Sequence, residues 1–206
     1  MSEKQKLLVL VGPSAVGKTT VAASILERDD RFYLLRSATT RSARGDGHDD
    51  EYIYLSRDEF RFLLAEDGML EYMEYAGELY GTPRSELKRA EELSKIPLLI
   101  LDLVGLKTLF RMGISDVRAV YIYDDLTVLS DRLYKRYGDK GEKYLSRKEQ
   151  NERDYLSLSE YSEYIHAVVK NDASPERSAE RIILLFEEER NGEKVRKEIE
   201  KIKKSG

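Results

Sequence analysis

The sequence predicts an α/β protein built on a parallel β-sheet, and three features of the chain support that class. Short apolar runs, typical of buried strands, lie at residues 7–11, 98–101, 117–123 and 167–169. Longer amphipathic stretches separate these runs. Helix-start signals fall within those stretches, at Lys18, at the capping box from Ser56 to Glu59, at Pro83 and at Ser174-Pro175. Because strands that alternate with helices are joined by crossovers, we expect a parallel sheet.

The first apolar run leads directly into a glycine-rich loop. Gly12, Gly17, Lys18 and Thr19 match G-x-x-x-x-G-K-[ST], a pattern that this composition would produce by accident in about 1% of chains. Its glycines let backbone N–H groups turn toward phosphates, Lys18 reaches the β- and γ-phosphate oxygens, and the Thr19 hydroxyl can bind Mg²⁺. The predicted ATP-binding residues are Gly12, Pro13, Ser14, Ala15, Val16, Gly17, Lys18, Thr19 and Thr20. The alternative is an ordinary glycine turn after a strand.

Asp102 ends the second apolar run, at the carboxyl edge of the predicted sheet, where α/β proteins bind ligands. We interpret it as a candidate to hold Mg²⁺ through water, together with Thr19. The alternative is a helix cap at the end of a strand.

The residue pattern changes between residues 37 and 82, where a turn-rich stretch and short segments of alternating apolar and polar residues predict a small β-rich insertion. Arg41 and Arg44 are three residues apart, and such a pair suits a phosphate dianion that one guanidinium could not neutralise. Tyr52 and Tyr80 could add hydroxyl donors. The alternative for the arginine pair is a solvated surface.

Two further segments carry predictions. A polar stretch at residues 137–147 contains Gly138 and Gly141 and is predicted to be a mobile lid. The final helix is predicted to run from about Pro175 toward the lysine-rich tail, where Val195, Ile199 and Ile202 form a thin apolar stripe.

Composition limits the possible functions. The chain has 206 residues, near the usual length of one domain, and its net charge of −4 disfavours broad binding to nucleic acid and suits a small anionic substrate. The chain has no cysteine, which excludes thiol chemistry, and only two histidines, which argue against a multi-histidine metal site. For His48 and its aspartate neighbours, a solvated turn is a better interpretation than a metal site. No run of 18 apolar residues occurs, so we expect a cytoplasmic protein that binds no membrane.

Six motifs follow one another along the chain: Gly12-Pro-Ser-x-x-Gly-Lys, Thr39-Thr-Arg41-x-x-Arg44, Tyr52 with the later Asp58-Glu-Phe60, Leu70-Glu71, Tyr80-Gly-Thr82 and Ile100-Leu-Asp102-x-x-Gly105. Their order and approximate spacing resemble those of guanylate kinases. The resemblance covers roughly residues 7–172. It implies a three-layer P-loop kinase core at 1–36, 83–136 and 148–206, a nucleoside monophosphate-binding insertion at 37–82 and a lid at 137–147, in a single domain.

The resemblance also implies roles for the insertion. It places Arg41, Arg44, Tyr52 and Tyr80 on the GMP phosphate, and Ser37, Glu71, Thr82 and Asp102 at the guanine. The chemistry of the base agrees, because guanine presents N1–H and N2–H₂ side by side and the Glu71 carboxylate can accept from both. We expect Thr82 to donate to guanine O6. A charge on the solvent face of a strand is the alternative for Glu71.

Arginines near the lid resemble the family's phosphate-binding set. Arg132 and Arg136 match its first pair, Arg132 as an ATP-binding residue. A third arginine is Arg147 when residues are counted forward and Arg153 when they are counted backward from Asn171, and we prefer Arg147. Lys18, Arg136 and Arg147 are the predicted catalytic residues. The alternative for each arginine is a surface ion pair.

These observations predict transfer of the γ-phosphoryl group of MgATP to GMP or dGMP, with ATP and Mg²⁺ as cofactors. Ile100 and Val104 replace the aspartate and glutamine usual in guanylate kinases, so an acceptor that is another nucleoside monophosphate or a phosphorylated sugar stays open. A catalytically silent binding module of this fold is a third possibility, which the retained Lys18 and Thr19 disfavour. Monomer and homodimer are equally compatible with the sequence.

Overall fold

The computed structural model describes residues 6–43, 52–75, 77–114, 116–138 and 141–205. Within these residues the strands are β1 Leu7–Val11, β2 Phe32–Leu34, β3 Ser37–Thr39, β4 Tyr52–Tyr54, β5 Met69–Tyr75, β6 Glu78–Pro83, β7 Ile96–Leu101, β8 Val117–Tyr123 and β9 Ile165–Lys170. The helices are α1 Lys18–Arg28, α2 Arg57–Ala65, α3 Arg84–Glu92, α4 Leu103–Arg111, α5 Leu126–Tyr137, α6 Glu142–Ser157, α7 Pro175–Glu187 and α8 Gly192–Ser205, with a 3₁₀ turn at Leu158–Tyr161 between α6 and β9.

The larger sheet has the strand order β2-β7-β1-β8-β9, and all of its strand pairs are parallel. The parallel sheet predicted from the apolar runs is therefore confirmed. Strand β1 lies at its centre, and every residue from Leu7 to Val11 is buried because helices cover both faces. Strand β2, Phe32–Leu34, was not predicted from the sequence.

The carboxyl ends of four neighbouring strands meet at one edge of this sheet. Strand β1 leads into Gly12, β7 into Asp102, β8 into Asp124 and β9 into Asn171. Because parallel strands all end at the same edge, four polar or glycine positions that are far apart in sequence become neighbours. This edge positions the candidate site.

Strands β3 to β6 form a second sheet in the order β4-β3-β6-β5. In it β3 pairs parallel with β4, whereas β6 pairs antiparallel with both β3 and β5. A separate small core of Ala38, Phe60, Met69 and Leu79 supports the sheet. Helix α2, which brings Phe60 into that core, begins at the predicted capping box, where the Ser56 hydroxyl accepts from the Glu59 amide.

The end of the chain differs from the prediction of one long helix after Pro175. Helix α7 begins at Pro175, with Ser174 as its cap, but ends at Glu187, and a separate helix α8 follows. The Arg118 guanidinium, reaching from β8, binds the end of α7 by donating to the Phe186 carbonyl at 3.0 Å and to the Glu188 carbonyl, and Asn191 Oδ1 accepts from the Lys194 amide at the start of α8. The stripe of Val195, Ile199 and Ile202 is buried against the rest of the molecule, as predicted. None of the helices described is both long and apolar enough to cross a bilayer.

Candidate functional site

The phosphate loop connects β1 to α1, and two of its glycines cannot be replaced without strain. Gly12 has φ of 154°, and a Cβ atom there would lie 2.1 Å from the Ile122 carbonyl oxygen. Gly17, with φ of 97°, is the N-cap of α1, and its Cβ would lie 2.9 Å from Asn171 Nδ2. The loop backbone therefore runs against β8 and Asn171 more closely than any side chain allows.

Replacing Gly12 with alanine should therefore distort the phosphate loop, since the clash is with backbone that cannot move aside. We expect a loss of about 2 kcal/mol or more in unfolding free energy, together with loss of ATP binding. Chemical denaturation and calorimetric titration with MgADP measure the two effects. Gly113→Ala is the matched control, because Gly113 also has a positive φ of 74° but open space at its Cβ. Equal behaviour of the two variants would contradict a loop-specific effect.

Side chains from the loop itself and from distant elements bind the carbonyl oxygens of the loop. Lys18 Nζ donates to the Gly12 and Pro13 carbonyls at 2.7 and 3.0 Å. Asn171 Nδ2 donates to the Val16 carbonyl at 2.7 Å, and Arg132 Nη1 lies 3.4 Å from the Ala15 carbonyl. Carbonyl oxygens would repel a phosphate, so their pairing with these donors favours an anion-binding loop.

The Lys18 ammonium has an unusual environment at the centre of the loop. The pKa of Lys18 is lowered to about 8, mainly by burial; the carboxylates of Asp102 and Asp154 oppose the shift, and the Arg147 guanidinium adds to it. An ammonium partly removed from water binds an incoming polyanion more strongly, because its charge is less screened. Lys18 is thus placed to bind phosphate oxygens, and Arg147 lies close to it.

The predicted lid arginines differ in their surroundings. Arg132 Nη2 forms an ion pair with the buried Asp124 at 2.8 Å, which holds the guanidinium beside the phosphate loop. Arg136 is exposed at the end of α5, with its guanidinium 5.6 Å from the centre of the Tyr137 ring. Arg153 lies on the outer surface of α6 and contacts Glu149 and Gln150. Arg147 is the candidate whose charge lowers the pKa of Lys18, and the preference for it over Arg153 stays a prediction.

Asp102 serves as the N-cap of α4, the alternative considered from its sequence position. Its Oδ1 accepts a hydrogen bond from the Gly105 amide at 2.7 Å. The same carboxylate raises the pKa of Lys18 and that of Glu71. Asp102 therefore lies between the phosphate loop and the second sheet, with one carboxylate oxygen used by the helix cap.

Glu71 and Thr82 form a buried polar pair on the second sheet. They are directly opposite each other on the antiparallel strands β5 and β6, which brings the Thr82 hydroxyl to 2.8 Å from Glu71 Oε1. Glu71 is 4% exposed, and burial raises its pKa to about 7, although the hydrogen bond from Thr82 opposes the rise. The Thr82 hydroxyl proton, expected on guanine O6, is directed in this structure to Glu71.

Arg41, two residues beyond the end of β3, lies near two tyrosine rings of β4. Its guanidinium carbon lies 5.5 Å from the centre of the Tyr52 ring and 5.8 Å from that of Tyr54. Ser37 is paired in register with Tyr52, and Tyr80 lies on the adjacent strand β6, opposite Thr39. Arg44 and His48, by contrast, fall outside the residues that the structure describes.

Several polar residues at the site were not predicted from the sequence. Asp124 and Asn171 each follow a buried strand, which is the same positional signal that identified Asp102. Asn151 and Asp154 lie on the face of α6 that also carries Arg147, at helical spacings of four and seven residues from it. Tyr54 alternates with Tyr52 along β4.

Comparison with known proteins agrees with this geometry. A family model described as guanylate kinase matches residues 4–182. The chain belongs to the guanylate kinase family. The guanylate kinase of Synechocystis sp. is 33% identical over 189 residues, which cover 91% of this chain and 96% of the relative. A guanylate kinase of Thermus thermophilus is 36% identical over 198 residues, covering 95% of this chain and 87% of that relative.

A solved structure supports the same assignment. The guanylate kinase from Anaplasma phagocytophilum matches with a TM-score of 0.66 and 26% identity, over 88% of this chain and 84% of that one. The resemblance to guanylate kinases and the predicted P-loop kinase fold are thus confirmed. Helix α8 lies beyond the part of the chain that the guanylate kinase family model matches.

Proposed function

We propose that this protein transfers the γ-phosphoryl group of ATP to GMP or dGMP, giving ADP and the guanosine diphosphate. The observation that carries the proposal is the position of Asp102: it follows β7, which pairs with β1 before the phosphate loop, and it caps α4, which packs against β5, the strand of Glu71. A donor site and a candidate base-binding site therefore adjoin each other. The names of the relatives, all guanylate kinases, agree with this reading.

Glu71 supplies the proposed base specificity. Guanine offers two adjacent donors, N1–H and N2–H₂, to one carboxylate, whereas adenine offers no such pair and would leave a buried charge without a partner. A mismatch of this kind can reject the wrong base by on the order of 10⁴-fold. Thr82 holds one oxygen of the carboxylate in place, and Ser37 and Asp102 complete the proposed guanine contacts.

The acceptor phosphate would be bound by Arg41, Arg44, Tyr52 and Tyr80. Arg41 is already oriented by two tyrosine rings, so little side-chain freedom is lost when it binds a dianion. The second arginine would be needed because the acceptor carries close to two negative charges at neutral pH. This phosphate is also the nucleophile, so its binding sets the direction of attack.

The residues at this site fit a Mg²⁺ ion that binds together with the nucleotide. Among the described residues, no three histidine, cysteine or acidic side chains cluster as a metal cage. Mg²⁺ commonly binds through one or two protein oxygens plus phosphates and waters, which the exposed Thr19 hydroxyl and, through water, Asp102 could provide. When bound, the ion would neutralise charge on the β- and γ-phosphates.

The transfer step needs alignment and charge neutralisation. A phosphate oxygen of GMP attacks the γ-phosphorus, the bond from that phosphorus to the bridging oxygen breaks, and its electron pair stays on the ADP β-phosphate. The acceptor is largely deprotonated at neutral pH, so no general base is required. Lys18 and the loop amides would hold the donor, and Arg132, Arg136 and Arg147 would stabilise charge on the transferring group.

We propose three working parts within the single domain, each matched to one step. The core at 1–36, 83–136 and 148–206 would bind ATP, the insertion at 37–82 would bind GMP, and the lid at 137–147 would close over both. Closure would bring Arg136 to the phosphates, beside Arg147 on α6, and exclude water, which otherwise competes as acceptor. The binding-module alternative is set aside, because Lys18 and Thr19 are both retained in a chain that resembles enzymes along nearly its full length.

The affinity for GMP should fall below pH 7. Burial raises the pKa of Glu71 to about 7 in the free protein, so below that pH the carboxyl is mostly protonated and cannot accept from both guanine donors. We expect the KM for GMP to rise about tenfold per pH unit below 7 and to be flat above it. The GMP phosphate also titrates, near pH 6, so the same profile in Glu71→Gln isolates the contribution of the carboxyl. Identical profiles in the two proteins would contradict this role.

Product analysis tests the proposed reaction. With ATP, GMP and Mg²⁺, we expect ADP and GDP to appear in equal amounts, and chelation of Mg²⁺ with EDTA to stop both. Omission of GMP should reduce ADP formation to a trace, because the lid would close over the γ-phosphate only when both substrates are bound. ADP formation that is independent of GMP would identify an ATPase and overturn the proposal.

A further inference from the structure

The middle of helix α6 is bound to the phosphate loop by one side chain. Asn151, which is 2% exposed, accepts a hydrogen bond from the Ser14 amide at 2.7 Å and donates to the Ser14 carbonyl at 3.1 Å. The two ends of a single side-chain amide thus hold both backbone groups of one loop residue. In the loop, the hydrogen bonds from Lys18, Arg132 and Asn171 described above reach carbonyl oxygens alone.

The same face of α6 carries the charges that act on the loop lysine. Arg147 lies one turn before Asn151, and Asp154 lies one turn after it, so the three side chains share one face of the helix. Arg147 lowers the pKa of Lys18 and Asp154 raises it, which places both groups near the ammonium. Asn151 is therefore the uncharged residue between Arg147 and Asp154, and it supplies the hydrogen bonds from this face to the loop.

We infer that Asn151 is a positioning residue for the donor nucleotide. It holds the face of α6 that carries Arg147 against the phosphate loop before ATP binds. The groups that bind the triphosphate are therefore already in position in the free protein. Without it, the loop and the helix would have to be ordered at the moment of binding, which weakens affinity. The inference rests on the proposed function in one respect, that ATP is the donor.

The consequences should be confined to one substrate. Ser14 and Lys18 belong to the donor side, whereas Glu71 and Thr82 belong to the second sheet, whose core of Ala38, Phe60, Met69 and Leu79 is separate. Loss of the Asn151 contacts should therefore weaken binding of the donor and leave binding of GMP unchanged. A residue needed only for stability would not separate the two substrates in this way.

Three variants test the inference. Asn151→Ala removes both hydrogen bonds, and Asn151→Asp keeps the acceptor for the Ser14 amide but loses the donor and adds negative charge near the triphosphate. Tyr155→Phe is the matched control, because Tyr155 lies one turn along α6 and its hydroxyl binds the Asp124 backbone carbonyl. The measurements are MgADP affinity by calorimetry, the KM for ATP, the KM for GMP and the melting temperature.

We expect Asn151→Ala to weaken MgADP binding about tenfold, Asn151→Asp to weaken it more, and Tyr155→Phe to bind MgADP like the unmodified protein. The KM for ATP should follow MgADP affinity while the KM for GMP stays constant. Unchanged MgADP affinity in both Asn151 variants below their melting temperatures would overturn the inference, as would equal losses for ATP and GMP. Asn151→Asp provides the test should the alanine variant fail to fold.

The two proposals fail differently. If MgADP affinity depends on Asn151 but the unmodified protein does not phosphorylate GMP, the proposed acceptor is wrong and the role of Asn151 stands. If GMP is phosphorylated and MgADP affinity is independent of Asn151, the proposed function stands and the inference is overturned.

Discussion

Replacing Lys18 with methionine should abolish phosphoryl transfer while leaving the fold intact. Methionine has a similar length but no charge, so the β- and γ-phosphate oxygens would lose the ammonium that stabilises them. We expect the transfer rate to fall by at least about 10³-fold. The change in melting temperature should be small, because the two hydrogen bonds lost to the Gly12 and Pro13 carbonyls are offset by removal of a poorly solvated charge.

A coupled assay of ADP production, run beside a thermal melt, measures both effects. Lys197→Met is the control, because Lys197 is exposed on α8 and pairs only with Glu193 among the contacts described. That variant should transfer phosphate at the unmodified rate. Retention of GMP-dependent ADP production by Lys18→Met would contradict the role of the phosphate loop.

Replacing Glu71 with glutamine should weaken GMP binding while leaving ATP binding unchanged. The glutamine keeps the size of the side chain but turns an NH₂ donor toward guanine donors and removes the charge that binds them. Charge-assisted hydrogen bonds are worth about 1.5–3 kcal/mol each, so we expect the KM for GMP to rise on the order of 10²-fold. An unchanged KM for GMP would remove Glu71 from the guanine site.

Glu86→Gln is a matched control, because Glu86 is also a buried glutamate, 3% exposed, but binds Arg36 at 3.1 Å and lies on α3. At pH 8 the two variants should move the melting temperature in opposite directions. The raised pKa of Glu71 means that its ionised form destabilises the fold above pH 7, so glutamine should stabilise it. Burial opposes the shift, but Arg36 lowers the pKa of Glu86 below that of an ordinary glutamate. The ionised form of Glu86 therefore stabilises the fold at pH values above an ordinary glutamate's pKa, so glutamine should destabilise it.

The sequence predicted the parts of the fold and site whose information is local. The strand, loop and helix around Lys18 are contiguous, and the buried runs of β1, β7 and β8 are long enough to recognise. Counting along the chain also selected Arg147, whose charge acts on the pKa of Lys18; the choice stays a prediction. The resemblance placed Glu71 and Thr82 at one site but did not predict the hydrogen bond between them, because the register of β5 against β6 cannot be read from either strand alone.

The remaining features depend on contacts between distant parts of the chain. Asn151 and Asn171 bind backbone groups of the phosphate loop across 137 and 155 residues, and a backbone partner has no sequence signature of its own. The end of α7 likewise receives a hydrogen bond from a distant residue, Arg118 of β8. Periodicity alone could not predict the break between α7 and α8, since both helices have an apolar face.

The central claim is that this protein phosphorylates the guanine nucleotides GMP and dGMP, and a panel of acceptors tests it most directly. With ATP and Mg²⁺ held constant, turnover should be measured with GMP, dGMP, AMP, CMP and dTMP. The Glu71–Thr82 pair predicts that GMP and dGMP are used with a kcat/KM at least about 10³-fold above the other three. Equal or better use of AMP, CMP or dTMP would contradict the claim.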